Sequence, residues 1–166
     1  AFALFNESFD SNDSFGTNCY GYCFYKGIEK SLSFSNPDSK TNSYTTENQQ
    51  NSVTSNNSST MKNAVHYFKV AYIDRNPSGI NNYAVAMFQG NSIDGSPFMS
   101  ISIFTEAAAK GCYTAVLNLR KIYSPECPYP SDLIPKMEMR EIDELEATCN
   151  KAKESDLFHA ELAIKI

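Results

Sequence analysis

PFMSISIFTEAAAKGCYTAVLNLRK, residues 97–121, is the stretch that decides how this chain reads. From Phe98 to Phe104, Met99, Ile101 and Ile103 point one way, while Ser100 and Ser102 share the other face with Phe98 and Phe104. Alternation of period two is that of a strand with one buried and one wetter face. Thr105 then offers a hydroxyl to a helix N-terminus, and Glu106 places a negative charge at its positive end. Ala107, Ala108 and Ala109 are strong helix formers. Cys112, Val116 and Leu119 recur at i, i+4 and i+7, with Tyr113, Leu117 and Ile122 widening the stripe. Arg120 and Lys121 suit the negative end of the helix, and Ser124-Pro125 ends it. Gly111 costs a helix interior roughly 1 kcal/mol, which implies a close neighbour there. The stretch predicts a strand feeding a main helix that carries a cysteine.

Upstream, AVHYFKVAYI (64–73) has apolar groups on both faces, as a central strand does. DRNPSGINN (74–82) is turn chemistry, and YAVAMF (83–88) is the next strand. Asp94-Gly95 favours a tight hairpin into residues 98–104. Lys30–Phe34 is a short strand candidate. Residues 35–60, rich in Ser, Asn, Thr and Gln, bury too little to offset ordering and predict a long exposed loop. In SFDSNDSFG (8–16) the acidic spacing is that of a calcium loop, but Phe15 stands where glycine is needed and no glutamate closes it. A polar turn is the reading.

Downstream, SPECPYPSDLIP (124–135) is a stiff loop around Cys127. Ile142, Leu145 and Cys149 give a second, acidic helix, whose Glu138, Glu141, Asp143, Glu144 and Glu146 read as a solvated face. LFHAELAIKI (157–166) alternates: Phe158, Ala160, Leu162, Ile164 and Ile166 form one face, His159, Glu161 and Lys165 the other. A half-buried strand that fixes the C-terminus in a sheet is the expectation.

The chain has 166 residues and reads as a single domain, residues 1–166. Its net charge is −5, with no Lys/Arg run, which excludes a nucleic-acid groove. No apolar run approaches the ~20 residues that span a bilayer, so no transmembrane segment is expected. AFALF (1–5) is too short and too uncharged for a signal peptide, as expected of a cleaved or truncated start. Five cysteines in a polar chain point to an oxidising setting, extracellular or at the cell surface. Asn6, Asn12, Asn56 and Asn57 open N-glycosylation triplets.

A cysteine nucleophile needs a base beside it, and the only histidines, His66 and His159, lie in strand patterns. No spacing of ligands suggests a metal, and no glycine loop suggests a phosphate. The expectation is a protein without catalytic residues, cofactor or metal.

Residues 82–166 resemble the globular half of type IVb pilins and minor pilins. The resemblance is carried by Phe98, Ser100, Ile101 and Ile103, then Cys112 with Val116 and Leu117, then Cys149-Asn150 and the run Phe158–Ile166. It implies a Cys112–Cys149 disulfide bounding a variable region that mediates subunit contacts or adhesion. Cys19 and Cys23 would then pair locally, or one of them would reach Cys127. The N-terminal 60 residues depart from the long apolar helix of pilins.

Together these readings predict an α+β fold: an antiparallel sheet packed on one main helix and stapled by disulfides. The function expected is that of a structural or adhesive protein, working through protein partners or self-assembly. The alternative is a β-rich module binding a glycan or small apolar ligand, with Tyr20, Tyr22 and Tyr25 as stacking platforms.

Overall fold

The computed structural model describes residues 7–28, 53–91, 95–130, 134–152 and 160–165. Among them there is no strand and no sheet. Six helices are bounded there: α1 (Ser14–Lys26), α2 (Val53–Ile73), α3 (Pro77–Phe88), α4 (Pro97–Ala109), α5 (Tyr113–Ile122) and α6 (Met139–Ala152). The predicted α+β sheet is therefore corrected to an all-helical fold.

Local chemistry explains the correction. In α4 the buried residues are Ser100, Ile101, Phe104, Ala107 and Ala108, the stripe of a helix, while Phe98 and Met99 are exposed. The Ser/Phe alternation at 98–104 was a subset of that longer pattern. Pro97 stands in the first turn, where its fixed φ and missing N–H suit a helix start. The supposed turn at 74–82 is likewise a helix start. Asn76 is the N-cap, its Oδ1 accepting from the Gly79 N–H at 2.9 Å, and Pro77 follows. Asp13, in the acidic segment read as a turn, caps α1 by accepting from the N–H groups of Phe15 and Gly16.

The ends are equally specific. Gly111 does not sit inside a helix; at φ 94° it stops α4, and the Cys112 N–H returns to the Ala107 carbonyl at 3.0 Å. The single helix expected after Thr105 is thus two, α4 and α5. Gly90 stops α3 in the same way, with Asn91 N–H bonded to Ala86. Arg75, at φ 62°, takes the left-handed position after α2 despite its side chain, which reaches Glu106 at 2.7 Å.

Each helix packs on the next, with further contacts of α1 on α3 and of α4 on α6. Short links at 74–76, 89–96 and 110–112 make this a series of helical hairpins. α3 lies at the centre, buried at every residue from Ser78 to Phe88. Close approach is set by glycine: a Cβ on Gly79 would lie 2.4 Å from Ala71 Cβ, and one on Gly21 would lie 2.9 Å from the Phe68 ring. No described helix is long and apolar enough to cross a membrane.

All five cysteines are free thiols, so the disulfide staples are corrected too. Cys19 and Cys23 lie one turn apart on α1, where the helix leaves no tight loop to close. Cys149 instead donates its thiol to the Ala108 carbonyl at 3.1 Å. Of the expected exposed loop, 53–60 belongs to α2 and 35–52 lies outside the described residues, as do Lys30–Phe34 and His159.

Candidate functional site: an asparagine-lined groove

Among the described residues four asparagines are completely buried: Asn18 on α1, Asn81 and Asn82 on α3, and Asn118 on α5. A buried amide without partners is costly, so the interest lies in where their hydrogen bonds go. They go to residues 160–165, which run through a groove lined by the odd-numbered helices. Ala160, Leu162 and Ile164 are buried, while Ala163 and Lys165 are exposed. That burial has the period of an extended chain.

Asn82 accepts from the Leu162 N–H at 2.7 Å and donates to the Ala160 carbonyl at 2.6 Å. Asn118 repeats the act two residues on, accepting from the Ile164 N–H at 3.0 Å and donating to the Leu162 carbonyl at 3.0 Å. Each side-chain amide thus brackets the C=O of one residue and the N–H of the second after it, which is what a neighbouring strand would do. Asn18 adds a second donor to the Ala160 carbonyl, and Asn81 a second to that of Leu162. Lys121 Nζ reaches the Ile164 carbonyl at 3.3 Å.

The asparagines also bond to one another in sequence. Asn118 donates to Asn81, Asn81 to Asn82, and Asn82 to Asn18. Asn82 alone uses two donors and two acceptor positions, all that a primary amide has.

Between the buried apolar residues, Glu161 turns toward the helix starts. Its Oε1 accepts from Ser78 Oγ at 2.9 Å and its Oε2 from Thr114 Oγ1. Ser78 and Thr114 are each the second residue of their helix and each precede a groove asparagine by four. Ser14 stands in the same relation to Asn18. Cys112, the N-cap residue of α5, is close by. Burial first, and then the Glu161 carboxylate, push its thiol well above the usual range, so it stays protonated.

No family model, curated protein or solved structure matches this chain.

The groove brings together few of the residues singled out in the sequence. Cys112 borders the groove, but Cys149 faces Ala108, and Cys19 and Cys23 are buried in α1. Burial raises the Cys19 thiol to about 11. Tyr20 is not an exposed platform. It packs edge-on against Phe24 and Tyr67, while Tyr25 donates to Gln89 Oε1 at 3.1 Å. His66 lies on α2 with its ring against Tyr67. Among the described residues no group of three or more His, Cys, Asp or Glu is placed to hold a metal. A second concavity, a cleft of about 750 Å³, lies between the end of α5 and residues 134–141, with Tyr129 and Cys127 on its wall. Residues 131–133 lie outside the described residues.

The sequence pattern places Asn81 and Asn82 in a turn, whereas they lie on α3 and are fully buried. The recoverable signal was Ser14/Asn18, Ser78/Asn82 and Thr114/Asn118, the last two pairs 36 residues apart. A hydroxyl and an amide four apart share one helix face.

Proposed function

We propose that this chain is a non-catalytic interaction module that holds a protein segment in extended form. The asparagine groove is its working surface, and residues 160–165 are the segment seated in it. The observation that carries this reading is the bracketing of alternate backbone groups by Asn82 and Asn118. Contacts to backbone fix an extended chain without reading its sequence, while apolar pockets at every second residue read side chains, the division of labour of strand-type peptide recognition. Catalysis has little support here. The amides are committed to hydrogen bonds, and a buried, protonated Cys112 thiol is a poor nucleophile. The fibre-subunit role rested on a sheet and a disulfide that the described fold lacks.

The test keeps the whole chain. A protease site inserted between residues 152 and 160 lets the protein fold with its segment in place, and cleavage then turns that segment into a separate ligand. The expected result is saturable exchange with a labelled peptide of residues 158–166, abolished by Asn118→Ala. A segment that never leaves a folded, cleaved chain, or one whose departure unfolds it, would mark the groove as purely structural.

A further inference from the structure

We propose that the groove selects an acidic residue at the position held by Glu161, so that its partners are extended protein segments of the pattern apolar, acidic, apolar, any, apolar. This rests on the interaction-module reading above and names the ligand class.

The selecting groups are a duplicated pair of hydroxyls. Ser78 and Thr114 stand at the same place in two helices, each one turn before the asparagine that grips the backbone. Each gives its hydrogen bond to a different oxygen of one carboxylate. An ionised carboxylate only accepts, so two hydroxyl donors converging on its two oxygens, with the Cys112 thiol beside them, suit it. The first turns of α3 and α5 also present the positive ends of two helix dipoles to the same spot. A lysine here would bring a cation against those positive ends, although the two hydroxyls could turn to accept from it. The flanking positions are set by burial: Ala160, Leu162 and Ile164 are enclosed, whereas Ala163 faces outward and is free to vary. The acceptor site and the backbone clamps share the same helices, so a bound segment is read for charge and for conformation together.

The experiment uses the cleaved chain described above, with labelled peptides of residues 158–166. Relative to the natural peptide, Glu161→Lys should bind at least roughly tenfold more weakly and Glu161→Gln several-fold more weakly, since hydrogen bonds to a charged group are the stronger ones. Ala163→Lys should bind within about twofold of the natural peptide, as expected of an exposed position. In a chain carrying Ser78→Ala and Thr114→Val, the preference for glutamate over glutamine should collapse, a coupling that a double-mutant cycle isolates. Equal binding of the Glu and Lys peptides would overturn the selectivity and leave the groove reading standing; failure of every peptide to bind would overturn both. Should the double variant not fold, the uncleaved chain supplies a second measurement. Glu161→Gln should speed hydrogen exchange at the Leu162 and Ile164 amides several-fold, and unchanged protection would sink the inference.

Discussion

Two buried regions of this protein are held by different means. Between α1 and α2, Phe9, Tyr20, Phe24 and Tyr67 meet with ring centroids 4.7 to 5.3 Å apart, and Phe68 fills the space under Gly21. That contact is area and shape. In the groove, four amides and a run of backbone are joined by directional bonds in which every amide oxygen and nitrogen has one or two assigned partners. Dispersion and the hydrophobic effect are non-directional, so the first region can repack. A buried hydrogen-bond network cannot, because each deletion leaves polar groups stranded.

The sharpest way to break this comparison is to place the same residue in both regions. Asn82→Leu keeps the branched shape, although the side chain is bulkier, and strands the Leu162 N–H, Asn18 Oδ1 and a donor of Asn81. At about 1–3 kcal/mol for each stranded group, the expected loss is about 4 kcal/mol, read as a lower urea midpoint. Phe68→Leu should cost only about 1.5 kcal/mol, because the aromatic neighbours relax around it. If Phe68→Leu proves the costlier of the two, the contrast between the two regions is reversed.

A pH titration sharpens the same contrast at the thiols. Burial raises Cys19 from 9.0 to about 11 and also raises Cys112 and Cys23. A group whose folded pKa lies above its unfolded value contributes stability that is complete below the unfolded pKa and lost as pH climbs through the folded one. Stability should thus hold steady up to about pH 8.5 and fall between about 9 and 11. Cys19→Ala should flatten part of that fall, and a stability curve level to pH 11 would contradict the burial of these thiols. Labelling at neutral pH should find Cys127, the half-exposed thiol, fast and the other four slow.

The smallest effect is expected outside both regions. Arg120 pairs with Asp143 at 2.7 Å and with Glu146 at 2.5 Å, on a face open to water. Arg120→Ala should cost under about 1 kcal/mol and less at high salt, as surface pairs do. A larger, salt-independent loss would show that α5 and α6 depend on this network.

How much of this was legible depended on which signal each residue carried. The stripe of Ile142, Leu145 and Cys149 gave α6 correctly, with Ile142 and Cys149 fully buried. The alternation at 160–165 gave the burial of Ala160, Leu162 and Ile164 correctly, but not the partner. Alternation says that a chain is extended with one face covered, and an amide on a helix can satisfy its backbone as a strand can. Residues 98–104 misled because Phe98, Ser100, Ser102 and Phe104 fit period two over a span shorter than the helix they belong to; the alanines that follow, with Pro97 before, carried the truer period. Asn76-Pro77 looked like a break and was a cap followed by a helix start, an ambiguity that only the next ten residues settle. The groove was hardest to see, since it is assembled from three helices and depends on asparagine, a residue read by habit as loop.

The chain of amides from Asn118 through Asn81 and Asn82 to Asn18 has a sense, each passing a proton-donor role to the next and the last passing it to the Ala160 carbonyl. No one of them can be turned over without turning its neighbours. A segment entering backwards would present carbonyls and N–H groups in swapped places and would demand that the whole row reverse at once. If the groove receives segments as proposed, it should therefore discriminate N-to-C polarity as well as shape, and a peptide of reversed sequence should bind more weakly than the natural one.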